Sequence, residues 1–335
     1  MAKVTREDVA QVAGVSGTTV SRVLSGRKDI QISEEARNRV LEAAERLGYL
    51  PNPAARALLT GRTQLVGLWM CLGYSRYRGQ VVDKMRSILA QTDFAIAVTD
   101  VEEDLFWRHS MSRALRVAVD GVIAFDTPTA GEAFARTDKN QAGTTPFVGM
   151  GAFWSRATSY VGVDLAWGVH EAMQHLFESG RRDVAFLHPG GIGAQTGAAR
   201  FDAYVAEMAA AGYPARFIPS GGLTVAEAAA GFGSYLGQAK PPEAILCFND
   251  EIAIGAQQAL LNHGLRPGID VALVGCDGIE ETALLPYPIT TIAQPVDQMC
   301  SIAWDFLSER LDDPGAPLRQ QLLRPQLIVR ASSRI

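Results

Sequence analysis

The chain has 335 residues, of which 47% are apolar and 20% charged, a globular composition with room for two or three domains. No run approaches the roughly 20 apolar residues of a membrane span, and the start MAKVTREDVA lacks the apolar segment of a secretory signal, so a cytoplasmic location is expected. Cys71, Cys247, Cys276 and Cys300 lie far apart inside apolar runs, which excludes a CxxC metal pair and a disulfide framework and leaves them as buried thiols.

The net charge of -5 is unevenly spread. Residues 1–64 hold 10 Lys and Arg against 7 Asp and Glu, whereas the rest of the chain holds 21 against 29. A small basic head on an acidic body suits a polyanion partner for the head alone, or is no more than a solvated surface.

In chain order, Thr5 with Asp8 makes a capping-box start to a helix carrying Val9, Val12 and Ala13 on one face, and Gly14 ends it. Ser16 caps a second helix with Val20, Val23 and Leu24 facing inward. Ser33, Glu34 and Glu35 open a third, carrying Val40, Leu41, Ala44 and Leu47, which Gly48 closes. The stretch 49–64, "YLPNPAARALLTGRTQ", reads as a linker with one short helix capped by Asn52, with Pro53 at its first position. Such a helix is too short to stand without a partner.

From Leu65 the pattern becomes apolar strands, "LVGLWM", "FAIAVT", "GVIAF", "PFVGM", "YVGV", "DVAFLHP", "EAILCF" and "DVALVGCD". Helical stretches at 79–91, 166–179, 198–211, 250–263 and 295–311 separate many of them. The alternation predicts a doubly wound α/β body with parallel sheets. The pattern restarts after Val161, which suggests two similar lobes with a ligand cleft beyond the strands' C-terminal ends.

The second helix, in "VSGTTVSRVLSG", is built from Ser16, Thr18, Thr19, Ser21 and Ser25 with Arg22 among them. Small hydroxyls are mediocre helix formers and poor core material. They are suited to phosphates and base edges, and Arg can take guanine bidentately, so a helix-turn-helix with this element in the major groove is one reading. A polar solvated helix in an ordinary bundle is the other.

The phrases "VTREDVAQVAGVSGTTVSRVLSG", "ISEEARNRVLEAAERLGYLPNPAARAL" and "TQLVGL" resemble the LacI/GalR family of transcription regulators. The likeness continues through "YVGVDLAWGVHEAMQHLFESGRRDVAFL", "AARFDAYVAEM", "AILCFNDEIAIGAQQALLNHGL", "DVALVGCDG", "PITTIAQP" and "LIVRASS". The resemblance implies a three-helix DNA-binding head at 1–50, a hinge helix and linker at 51–64, and a two-lobed, periplasmic-binding-protein-like effector and dimerisation domain at 65–335. Its lobes would be about 65–162 plus 293–325, and 163–292 plus 326–335.

By this resemblance Gly17, Thr18 and Arg22 take the base-reading positions, while Thr5, Ser16, Thr19, Ser21 and Ser25 anchor phosphates and sugars. Gly17 has no side chain, so readout there is lost and rests on Thr18, Arg22 and DNA shape. In the loop after Ser25, Arg27 and Lys28 add backbone contacts or are simply solvated. In the hinge, Leu58 matches the residue that wedges into a base step, with Ala55 and Arg56 beside it and Asn52 at the cap.

The resemblance likewise places Asp164, Arg200, Asn249 and Asp277 on the effector, with Tyr77 and Arg78 after the first strand. Phe248, Ala194, Gln195 and Thr196 are weaker candidates. Ala194 stands where the purine-responsive branch has Arg, and "IPSGGLTV" offers no aromatic, which favours a sugar or sugar acid; Arg78 suits an anionic ligand.

The expected function is therefore an allosteric repressor of carbohydrate genes, a homodimer on a pseudo-palindromic double-stranded operator, needing no cofactor or metal and no membrane. No apolar heptad tail follows "LIVRASS", which favours a dimer over a tail-assembled tetramer. The alternatives are the same regulator with a nucleoside or other effector, or a cytoplasmic small-molecule binding module. An enzyme is disfavoured by the lack of a GxSxG elbow, P-loop or HExxH, and by the scatter of His109, His170, His175, His188 and His263.

Overall fold

Thr5 opens the first helix, α1 (Arg6–Ala13), through a full capping box: its hydroxyl accepts from the Asp8 amide while the Asp8 carboxylate accepts from the Thr5 amide at 2.8 Å. Gly14 closes the helix in the left-handed conformation at φ 65°. The computed structural model describes residues 4–24, 32–49, 57, 60–71, 75–101, 117–127, 145–152, 158–190 and 198–334. The chain divides into two units, Met1–Gln64 and Leu65–Ile335.

In the first unit, α2 (Gly17–Leu24) and α3 (Glu34–Leu47) follow α1. Val9, Ala13, Val20, Val23, Val40 and Ala44 form the centre of a small shared core. Complete burial of each valine contributes about 1.5 to 3 kcal/mol. Arg39 donates from Nε to the Ala13 carbonyl at 3.1 Å, satisfying an end group of α1 from α3.

Two apolar residues expected in this core lie outside it: Val12 is 41% and Leu41 47% exposed. The buried stripes run instead through Val9, Ala10 and Ala13, and through Val40, Ala43 and Ala44. At 100° per residue, positions 12 and 41 fall about a quarter-turn or more from these faces.

The second unit holds two six-stranded sheets. The first has order β2-β1-β3-β4-β5-β11, all parallel, from β1 (Leu65–Met70), β2 (Ala95–Asp100), β3 (Gly121–Phe125), β4 (Phe147–Gly151), β5 (Ser159–Val163) and β11 (Gln320–Leu323). The second has order β7-β6-β8-β9-β10-β12, from β6 (Val184–His188), β7 (Arg216–Pro219), β8 (Ala244–Cys247), β9 (Ala272–Asp277), β10 (Thr290–Ala293) and β12 (Gln326–Ile328). Only β12 runs antiparallel to its neighbour in the second sheet, with Thr291 opposite Ile328.

The two sheets thus repeat one winding, and the chain passes between them after β5, after β10 and after β11. Strands β3, β4, β8 and β9 are buried along their whole length, so they are continuous apolar runs rather than alternating ones. The connecting helices are α4 (Arg76–Leu89) and α10 (Val296–Asp312) on the first sheet. On the second are α5 (Leu165–Glu178), α6 (Ala199–Ala210), α7 (Val225–Leu236), α8 (Asp250–Asn262) and the single turn α9 (Glu281–Leu284).

Candidate functional site

In the head, Ser16 caps α2: its Oγ accepts from the Thr19 amide at 3.1 Å and lies 2.9 Å from the Thr19 hydroxyl. Val20 and Val23 are buried on the inner face, while Ser16, Thr18 and Arg22 are exposed on the outer one. Thr18 and Arg22 are four residues apart and share that face. Thr5 is exposed but engaged with Asp8, and Ser21 is half-buried. Ser25, Asn52, Ala55, Arg56 and Leu58 lie outside the described residues, as do Ala194, Gln195 and Thr196 of the effector set.

In the body, the C-terminal ends of β3, β8 and β9 bring polar residues together. Arg200, near the start of α6, has a guanidinium stacked on the Phe248 ring, 3.8 Å from its centroid. Its Nη1 donates to the Phe248 carbonyl at 2.9 Å, contacts the Cys276 sulfur at 3.7 Å and lies 3.8 Å from Asp277 Oδ1. Asp277, at the end of β9, is nearly buried and also accepts from Gln294 Nε2 at 2.8 Å. Burial pushes its carboxyl well above the usual range, with Arg200 opposing that shift.

Asn249 and Asp164 act locally as helix caps. Asn249 Oδ1 accepts from the Ile252 amide at 2.9 Å, and Asp164 Oδ1 accepts from the Trp167 amide at 3.0 Å. The first bond leaves the Asn249 amide nitrogen, and the second leaves one Asp164 oxygen, for other partners.

Tyr77 is only 4% exposed, packed edge-on to Phe125 with ring centroids 5.6 Å apart. Its hydroxyl has no hydrogen-bond partner among the described residues, and its pKa is raised by burial and then by Asp126 and Asp277. The structure thus sinks this residue in the first lobe's core and leaves its hydroxyl in the field of Asp126 from one lobe and Asp277 from the other.

Asp126 was not among the candidates of the sequence. It follows β3 at φ 47°, a left-handed conformation uncommon outside glycine, and its Oδ1 accepts from the Ala152 amide at 2.7 Å. Gly151 makes this possible, since a Cβ there would collide with Oδ1. Burial raises the Asp126 carboxyl, opposed by the Ala152 bond and by the charges of Arg200 and Arg78. Arg78 thus acts on the cleft through its field. The available signal for Asp126 was its position: an acid one residue past a buried parallel strand, where such sheets hold ligands.

Glu251 is a second acid the sequence did not single out. It is fully buried, takes the Arg76 amide at 2.7 Å across the lobes, and its Oε2 has no partner among the described residues.

The profile of bacterial regulatory proteins of the lacI family matches residues 5–52, and that of the periplasmic binding protein-like domain matches 173–333. The chain belongs to the LacI family. It is 27% identical to the HTH-type transcriptional repressor PurR of Glaesserella parasuis serovar 5 (strain SH0165), with 98% of each chain covered. It is 26% identical to the ribose operon repressor of Haemophilus influenzae (strain ATCC 51907 / DSM 11121 / KW20 / Rd), again over 98% of each. A crystal structure of the lac repressor dimer bound to operator and the anti-inducer ONPF has the same fold, at TM-score 0.82 and 24% identity over 99% of each chain.

As a LacI-family member the protein is a DNA-binding transcriptional repressor and not an enzyme. The helix-turn-helix reading of α2 therefore replaces that of a merely solvated helix. No helix among the described residues is long and apolar enough to cross a membrane.

Proposed function

We propose that this repressor acts in the cytoplasm as a homodimer on a pseudo-palindromic operator and answers to a neutral, hydroxyl-rich effector, a sugar, held in the cleft of residues 65–335. In this reading residues 1–50 dock on DNA, and a hinge within 51–64 wedges Leu58 into the duplex beside Asn52, Ala55 and Arg56. Thr5, Ser16, Thr19, Ser21 and Ser25 take the backbone while Thr18 and Arg22 read bases.

The observation that carries the effector class is the grouping of Arg200, Asp277, Asp126 and the orphan Tyr77 hydroxyl. Carboxylates accept from sugar hydroxyls and a guanidinium donates to them, so such a set surrounds a ring with both roles. Two desolvated acids at this site disfavour a carboxylate on the ligand, so a neutral sugar is preferred to a sugar acid. The ribose operon repressor among the relatives supports the class. Asn249, Asp164, Arg78 and Thr196 complete the proposed shell.

A nucleoside is the second reading, favoured by Phe248, an aromatic in the same cleft. A thermal-shift screen of sugars, sugar acids and nucleosides separates them, followed by operator binding with the best compound. A neutral sugar that raises Tm and changes operator affinity is the expected result. Stabilisation by nucleosides alone overturns the sugar assignment.

A further inference from the structure

Position 17, the first residue of α2, is glycine, yet the space above it is not open. A Cβ built there would lie 3.1 Å from Arg6 Nε and 3.6 Å from both Arg6 Cζ and Glu7 Oε1. The Arg6 guanidinium of α1 therefore lies across the start of the recognition helix, at the place a side chain of residue 17 would occupy. Any larger residue directed the same way would displace it.

Glu7 fixes the guanidinium there. Its Oε1 accepts from Arg6 Nη2 at 2.6 Å and from Nε at 3.0 Å. Those bonds engage one edge of the planar fork and leave both Nη1 hydrogens without a bond to any described residue. The Arg6 side chain is 44% exposed, beside the first turn of the helix that carries exposed Thr18 and Arg22.

We propose that Arg6 is a specificity-determining residue, a guanine-reading fork supplied by α1 where the recognition helix has only Gly17, with Glu7 as its positioning partner. The residues at the start of a recognition helix are those that reach base edges, and Arg on the O6/N7 edge of guanine is the commonest specific contact. Glu7 does a second thing: its charge repels phosphates, which keeps Arg6 from settling on the backbone as a nonspecific anchor. The inference rests on DNA binding by the head and is independent of the effector assignment.

The test uses the full chain and a pool of random duplexes, from which wild type, Arg6→Ala, Arg6→Lys and Glu7→Gln are each used to select sequences. Wild type is expected to enrich a guanine in each half-site that neither Arg6 variant enriches. On the wild-type consensus, both Arg6 variants lose about 5- to 150-fold in affinity, with little loss on random duplex. Replacing that guanine should weaken wild type and leave Arg6→Ala unchanged. Glu7→Gln should tighten binding to random duplex and steepen its salt dependence. Identical selected sequences for wild type and Arg6→Ala overturn the proposal. So does an equal loss on consensus and random duplex, the mark of a phosphate contact. Where circular dichroism shows Arg6→Ala to be unfolded, Arg6→Lys decides the matter, because Lys keeps the charge and loses only the fork.

Discussion

Arg76 Nε lies 2.6 Å from Glu281 Oε1, and the Arg76 amide donates to buried Glu251, so the start of α4 in one lobe is fastened to α8 and α9 in the other. The ion pair is partly exposed, with side chains at 34% and 44%, and contributes about 0.5 to 1 kcal/mol to holding the two lobes in this arrangement. Glu281→Ala is expected to shift the open and closed populations two- to fivefold, seen as a larger radius of gyration in small-angle scattering. A double-mutant cycle with Arg76→Ala should be non-additive. Additivity means that the contact does not control closure.

Arg200 and Asp277 give a prediction of a different kind. Arg200→Ala should abolish the thermal shift produced by the effector while leaving operator affinity without effector within about threefold. Asp277→Asn keeps an oxygen for Gln294, so it should fold normally and bind effector about 10- to 150-fold more weakly, the cost of a lost charge-assisted bond. A variant that responds to effector like wild type removes these residues from the site.

Asp250 predicts a pH dependence. Its Oδ1 accepts from the Thr291 hydroxyl at 2.7 Å, and its Oδ2 from the amides of Gly278 and Ile279 at 2.7 and 2.9 Å, yet burial dominates and pushes its carboxyl from 3.8 up to about 6. The folded chain therefore binds this proton more tightly than the unfolded chain. The resulting cost to stability, up to about 3 kcal/mol, is present in full above pH 6 and fades as pH falls toward 4. Asp250→Asn should raise Tm most at pH 7 and above and converge with wild type near pH 4. A Tm difference that is constant from pH 4 to 8 contradicts the assignment.

In the head, Ser16→Ala removes the cap on the Thr19 amide, so it should cost about 1 kcal/mol of local stability and weaken binding to all sequences alike. Arg22→Ala should instead lose about 5- to 150-fold on operator with little change on random duplex. Anisotropy titrations on both duplexes distinguish the two patterns, and equal losses for both variants refute the division of roles.

The alternation of strands and helices was readable because β1, β3, β4 and β9 are apolar runs of five or six residues that are almost wholly buried. The strands β7, β10, β11 and β12 have three or four residues each, too few for periodicity to register. Helix α7 was missed as well: "VAEAAAGFGSYL" lacks a clear polar face and carries two glycines that read as breakers. At the site, Arg200 and Asp277 were legible from their phrases. Asp126 was signalled only by its place one residue past a buried strand, which "DTP" disguises as a turn, and its contacts with Gly151 and Ala152 come from another strand that only the folded chain brings near.

The return of the chain to place β11 in the first sheet and β12 in the second makes both sheets depend on residues 320–328 for their last strand. During synthesis neither sheet can be completed until this short segment has left the ribosome. A protein cut just before it would be two unfinished sheets rather than a shortened repressor.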